Sequence, residues 1–178
     1  LPADLVNEDA GARAYQTYKA YAVRLVERGF NVFVPHNPYR GDDASRVLQR
    51  KAQPIGKTIF SIILAQHERI LDFLSSRPEV DAARIGFYGL SYGGQTAMRV
   101  PVILERYALA ICSGDFNQWT RKVAATDQPF SFMRTIEWEM PYWNLGHTFD
   151  YAEMTYLMVP RPFMVERGHL DRVGRDQW

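Results

Sequence analysis

Apolar positions recur along the chain with two periods. Tyr15, Tyr18, Tyr21, Ala22 and Leu25 fall at helical spacing, which predicts a helix over 15–27 that Gly29 ends. Asn31-Val-Phe-Val-Pro35 is short, β-branched and aromatic, which predicts a buried strand. The polar stretch from Asn37 to Gln53 reads as a loop with a short helical turn. From Ile59 to Leu74, Phe60, Ile63, Leu64, Ile70, Leu71 and Leu74 share one helical face, and Arg77-Pro78 stops the helix. Strands follow at Arg84–Tyr88, Tyr107–Cys112 and Pro162–Val165. A helix is predicted between the first two of these, over 92–106, with Pro101 as a kink. The stretch 116–160 is mixed and aromatic, with helical pieces near 132–138 and 150–157.

Strands thus alternate with helices four times. That order predicts an α/β fold, a mostly parallel sheet with helices on both faces, in one domain over 1–178. In such sheets ligands bind beyond the carboxyl ends of the strands. The positions to inspect are therefore His36–Tyr39, Gly89–Gly94, Ser113–Asp115 and Glu166–Asp171. The aromatic stretch, with Trp138, Trp143 and Phe149, is expected to cap the pocket; packing into the core would use the same residues.

Composition narrows the partners. Lys plus Arg number 21 and Asp plus Glu 20, for a net charge of +1, which gives no electrostatic footprint for nucleic acid. No apolar run approaches the ~20 residues of a membrane-spanning helix. The single cysteine, Cys112, excludes an intrachain disulfide, and within an apolar strand it reads as a small buried hydrophobe. No C-x-x-C, H-E-x-x-H, Walker or G-x-G-x-x-G pattern occurs, so neither a metal nor an organic cofactor is implied. Arg46, Arg50 and Lys51 read as a solvated basic face. Oligomeric state is not legible.

Chemistry enters at Gly89-Leu90-Ser91-Tyr92-Gly93, a G-x-S-x-G pattern followed by Gly94. A predicted strand precedes it and a predicted helix follows, the context in which a serine nucleophile stands on a sharp strand-to-helix turn. Side chains two residues before and after the serine would collide in that turn, so glycine is expected at both 89 and 93. The turn exposes the Ser91 hydroxyl above the sheet and offers the Tyr92 backbone N–H, at a helix N-terminus, to an oxyanion.

A nucleophilic serine needs a base, and the base an acid to orient it, in the chain order serine, acid, histidine. Asp171, past the last strand in Gly168-His169-Leu170-Asp171, is the acid expected from position; a cap of the chain near Gly174 would be its ordinary role. Asp115 is the other acid at a strand end and reads as a turn or cap residue. Of the histidines, His36 and His67 precede Ser91, and His67 sits on the apolar side of its helix as a packed, hydrogen-bonded residue. His147 lies in the aromatic stretch, and His169 is two residues from Asp171. None is well placed as the base, which is expected beyond Trp178.

With these residues in view, the chain resembles the α/β-hydrolase superfamily, and within it the dienelactone hydrolase and acetylxylan esterase neighbourhood. The resemblance rests on Asp81–Gly94, on Ile111-Cys-Ser-Gly-Asp115 and on Arg161–Asp171, and extends over nearly all 178 residues, with the elbow its specific part. Dienelactone hydrolases carry cysteine where this chain has Ser91, which points to the serine esterase branches. Prolyl-oligopeptidase peptidases carry a similar G-x-S-Y-G-G elbow. The resemblance implies Ser91 as nucleophile, Asp171 as triad acid and the Tyr92 N–H as one oxyanion donor. It implies a second donor before Leu1, a histidine after Trp178, and a strand between those at Asn31 and Arg84 that this chain does not contain.

The expected function is therefore hydrolysis of a small carboxylic ester through an acyl-enzyme on Ser91. A serine peptidase and a non-catalytic binding protein on the same fold are the alternatives. The segment by itself, an internal piece of a longer hydrolase on this reading, is expected to lack turnover.

Overall fold

The computed structural model describes residues 2–36, 38, 44–137 and 139–171. Asn37, Tyr39, Trp138 and Gly174, singled out above, lie outside them. The chain divides into two compact units, Leu1–Ser45 and Arg46–Trp178.

The first unit holds α1 (Arg13–Tyr18) and α2 (Tyr21–Val26) in place of one helix over 15–27. The break is at Lys19 and Ala20, both in the left-handed region (φ 55° and 47°). The strand predicted over Asn31–Pro35 does not form: residues 31–36 are irregular, and Phe33 is 46% exposed. A strand is held by hydrogen bonds to a neighbour. The first unit contains no other strand among its described residues, so composition alone cannot make one.

The second unit contains nearly all of α3 (Ala44–Ala52), longer than the turn expected there, and then α4 (Phe60–Ser75). Phe60, Ile63, His67 and Leu71 are the buried stripe of α4, spaced three and four apart as a single face requires. Its start is satisfied from outside the helix. Gln49 Oε1 accepts from the Ile59 N–H at 2.6 Å, and Thr58 Oγ1 accepts from the Phe60 N–H at 3.1 Å.

The sheet follows: β1 (Gly86–Leu90), α5 (Tyr92–Ala97), β2 (Leu109–Ser113), α6 (Trp119–Ala124), α7 (Leu145–Thr148), α8 (Tyr151–Thr155) and β3 (Phe163–Glu166). The order is β1-β2-β3 and every pairing is parallel, with Phe87 opposite Ala110 and Ala110 opposite Phe163. This is the parallel α/β architecture that the alternation predicts, with three strands among the described residues. Helix α5 ends at Ala97, well short of 106; turns carry the chain past Pro101, which has no N–H to donate.

Phe87, Ala110 and Phe163 share one face of the sheet and pack with Val102 and Met158. Helix α4 reaches that face through His67, whose ring lies 5.4 Å from that of Phe87. Cys112 is fully buried, and burial pushes its thiol up to about 12, as befits a packed and unreactive side chain. On the opposite face Met164, at 55% exposure, remains open.

His67 is the polar member of the α4 contact. Its Nδ1 shares a 2.6 Å hydrogen bond with the Tyr107 hydroxyl, and burial holds its pKa down at about 4. An unfolded chain takes up this proton near 6.5, the folded chain only near 4. Stability is therefore lost as pH falls from 6.5 to 4, at up to about 1.4 kcal/mol per pH unit. Urea unfolding midpoints across that range should show the loss, and His67→Gln should remove this contribution.

Candidate active site

The end of β1 and the start of α5 meet in a turn of very small radius. Ser91, between them, has φ 58° and ψ −114°, a strained conformation for a residue with a Cβ. The turn is possible because residue 89 has no side chain. A Cβ there would lie 1.9 Å from the Gly93 carbonyl oxygen and 2.2 Å from its carbon. The collision expected at both glycines is one-sided: a Cβ on Gly93 would meet nothing within 4 Å. The reason is directional, since the Cα–Cβ bond of residue 89 aims at the helix backbone whereas that of 93 leaves it. Gly94 is the second position that space requires, as a Cβ there would come within 2.7 Å of the Ser113 carbonyl oxygen.

The turn is tied to the sheet by the Ser91 N–H, which donates to the Ser113 carbonyl at 2.8 Å. Ser91 itself is exposed. It precedes the first N–H groups of α5, among them that of Tyr92, which have no acceptor within their own helix. Gly114, at φ 66°, continues β2 beside the elbow and donates its N–H to the Glu166 carbonyl at 3.0 Å. The point where a Gly114 Cβ would stand is 3.4 Å from Asp171 Oδ2 and 3.9 Å from the Ser91 nitrogen. The structure thus brings Asp171 to the elbow, over the missing side chain of Gly114. A turn hydrogen bond from the Asp171 N–H to the Gly168 carbonyl, 2.9 Å, shapes the loop that carries it.

Of the histidines, His36, His147 and His169 are exposed, and His67 is in the core, bonded to Tyr107. No group of metal-ligating side chains is found among the described residues.

Behind the elbow lies a buried polar cluster that periodicity did not reveal. Asp115 is 1% exposed and is neither turn residue nor cap. Tyr151 donates its hydroxyl to Asp115 Oδ2 at 3.1 Å, and Arg99 donates to the same Tyr151 oxygen at 3.1 Å and to the Gln95 carbonyl at 2.9 Å. The Arg99 guanidinium is boxed by the rings of Phe60, Trp119, Tyr142 and Tyr151, all 4.8–5.1 Å away. Trp119 stacks on Tyr142 at 5.2 Å and on Tyr151 at 5.4 Å. Much of the aromatic stretch expected to cap a pocket is therefore core: Trp119, Tyr142 and Tyr151 are buried, while Trp143 and Phe149 are exposed. The signal available in the sequence was a charge, Arg99, where an amphipathic helix calls for an apolar residue. A buried guanidinium demands a carboxylate and aromatic faces.

The sequence and the fold have known counterparts. The prolyl oligopeptidase family model matches residues 16–173. The chain belongs to the prolyl oligopeptidase family. It is a hydrolase family, and the match covers the elbow, Asp115 and Asp171 alike. Among solved structures, that of a putative acetyl xylan esterase from Bacteroides fragilis NCTC 9343 superposes with a TM-score of 0.69 at 17% identity. The superposition covers 95% of this chain and 47% of that one, so the chain spans about half the length of that protein. At this identity the likeness concerns the fold, which is that of an α/β-hydrolase. No curated protein matches the chain.

Two outcomes follow from the packing. Gly89→Ala should prevent the elbow from closing and cost several kcal/mol, more than a typical core substitution, whereas Gly93→Ala should be neutral or stabilise by up to about 1 kcal/mol, as alanine does in a helix. Thermal melts of the two variants distinguish one-sided from mutual crowding.

The second outcome concerns Asp115, whose pKa burial lifts to about 7, with Arg99 opposing. The folded chain keeps this proton between about 3.8 and 7 where the unfolded chain has released it. Its contribution is complete below 3.8 and is lost as pH rises to 7. Relative to wild type, Asp115→Asn should gain stability as pH rises through that window; an unchanged difference at pH 4 and pH 7 would count against it.

Proposed function

We propose that the chain carries the nucleophile and acid of a serine hydrolase acting on carboxylic esters through an acyl-enzyme. The observation that carries this reading is the strained, exposed Ser91 with the Asp171 carboxylate brought beside it over Gly114. Ser91 Oγ attacks the ester carbonyl, and its proton passes to a histidine base oriented by Asp171. The base is assigned to a histidine that follows Asp171 in the full-length protein, as the chain order serine, acid, histidine requires. The Tyr92 N–H stabilises the tetrahedral oxyanion, and collapse expels the alcohol, which takes the proton from the histidine. Water then attacks the acyl-enzyme by the same route and frees the acid.

Membership of a peptidase-named family favours amide hydrolysis as the second reading. The two differ in leaving group, since an amine must be protonated as it departs and an alkoxide less so. The fold's likeness to an acetyl xylan esterase favours the ester.

In the full-length protein a fluorophosphonate should label Ser91, seen by peptide mapping, and Ser91→Ala should abolish ester turnover. Asp171→Asn should lower kcat by about 10⁴ with little change in melting temperature; the same loss from Asp115→Asn alone would move the acid to 115. Comparing p-nitrophenyl acetate with a peptide p-nitroanilide separates ester from amide chemistry. Residues 1–178 alone should show no turnover above their own Ser91→Ala control, and turnover above it would point to His169 as the base.

A further inference from the structure

A backbone as strained as that of Ser91 persists only where its surroundings over-determine it. Two bonds fix this residue from outside. Its N–H donates to the Ser113 carbonyl at 2.8 Å, and its carbonyl accepts from the Gln95 N–H at 3.0 Å. The first anchor belongs to β2, the central strand of the three. The second belongs to α5, a helix of six residues with little stability of its own. What holds Gln95 therefore decides how firmly Ser91 is held.

Gln95 is buried, and its polar groups are engaged on three sides. Its Oε1 accepts from the Tyr142 hydroxyl at 2.7 Å, and its backbone carbonyl accepts from Arg99 Nη1 at 2.9 Å. Its Nε2 lies 3.8 Å from the Met140 sulfur, and the Gln95 side chain is also a hydrogen-bond partner of the Asp115 carboxyl. The closeness of α5 to Asp115 is visible one residue earlier, where a Cβ on Gly94 would stand 3.0 Å from that of Asp115.

These bonds close a circuit around the serine. From Ser91 the path runs through its N–H to Ser113, along the chain to Asp115, across to the Gln95 side chain, and back through the Gln95 N–H to the Ser91 carbonyl. Tyr142 and Arg99 brace it from outside. Packing alone does not call for such a circuit. An apolar residue at 95 would fill the same space without burying an amide, which costs stability unless its bonds are made. A buried network that is satisfied holds its members in one geometry.

We propose that Gln95 is a positioning residue for the nucleophile: its side chain, held by Tyr142 and Asp115, fixes the Ser91 backbone in the strained conformation from which Oγ attacks. The inference rests on the serine-hydrolase reading above, and Gln95 acts through Ser91 rather than on the substrate. A displacement of about 1 Å at a reacting atom can cost on the order of 10² in rate, because the attack geometry is met less often. Substrate binding does not draw on that geometry. Loss of the Gln95 side-chain bonds should therefore lower kcat and leave KM in place.

The test uses the full-length protein, with p-nitrophenyl acetate as substrate and a fluorophosphonate as the probe of Ser91. Gln95→Met removes the amide at similar volume. It should lower kcat by roughly 10- to 100-fold with KM within about twofold, and slow the labelling of Ser91 by a similar factor. Tyr142→Phe removes the donor to Gln95 Oε1 and keeps the ring that stacks on Trp119, and it should act in the same direction. The double variant should lose little more than Gln95→Met alone, because both changes act through one link. Rates are read well below the melting temperature of each variant, so that lost stability does not register as lost turnover. If Gln95→Met does not fold, Tyr142→Phe carries the same split of kcat from KM. Wild-type kcat and labelling rate in the folded variants, with only the melting temperature lowered, would overturn the proposal and leave Gln95 as packing. A raised KM at unchanged kcat would overturn it as well. Absence of Ser91 labelling in the wild-type protein would instead overturn the hydrolase reading, and this inference with it.

Discussion

The Gly93 carbonyl oxygen lies 1.9 Å from where a side chain at residue 89 would begin. That approach sets the radius of the turn between β1 and α5. The radius holds Ser91 at positive φ, and positive φ lifts its hydroxyl clear of the sheet. The same tightness seats α5 against β2, where Gly94 passes close to the Ser113 carbonyl. Backbone contact of this kind cannot be relaxed by a change of rotamer, unlike contact between side chains. Everything the site offers depends on it: the exposed serine, the Tyr92 N–H at the start of α5, and the short span across Gly114 to Asp171.

Behind this turn, Arg99 organises the part of the chain that regular secondary structure leaves loose. Among the described residues, 116–160 holds short helices, too brief to be stable alone. They are held by rings arranged around one buried cation: Trp119, Tyr142 and Tyr151 pack on the guanidinium, and Tyr151 links it to Asp115. Burial works against the charge on Arg99, and Tyr151, Tyr142 and Asp115 outweigh it. Because Asp115 follows β2 at the level of the elbow and Arg99 follows α5, the cluster ties the irregular segment to the elements that carry Ser91. It also links Phe60, at the head of α4, to the same support.

Family and fold fit this division of labour. The match to the prolyl oligopeptidase family runs through both parts, and the fold likeness to an acetyl xylan esterase persists at 17% identity. At such identity what is shared is the path of the backbone, and reaction preference resides in side chains that line the approach to the serine.

Local pattern was enough for α4, for β1, β2 and β3, and for the elbow, because each is decided within a few residues: a stripe of Phe60, Ile63, His67 and Leu71, a short apolar run, a serine between glycines. The position of Asp171 past the last strand was legible for a similar reason, since strand order determines which loops gather at one end of a parallel sheet. What periodicity could not supply was anything that depends on a partner distant in the chain. Asn31–Pro35 has the composition of a strand, yet its unit holds no other strand among the described residues for it to pair with. The aromatic stretch has the composition expected of a cap, yet Trp119, Tyr142 and Tyr151 pack around Arg99 in the core. Glycine at 89 and at 93 look alike in sequence, and only the direction of a Cβ in space separates the one that the turn requires from the one that it tolerates. Sequence by itself determined α4, the three paired strands and the turn that exposes Ser91, because these follow from spacing along a chain. Tertiary structure decided the rest, because burial, charge pairing and steric contact are properties of neighbours that sequence separates by tens of residues.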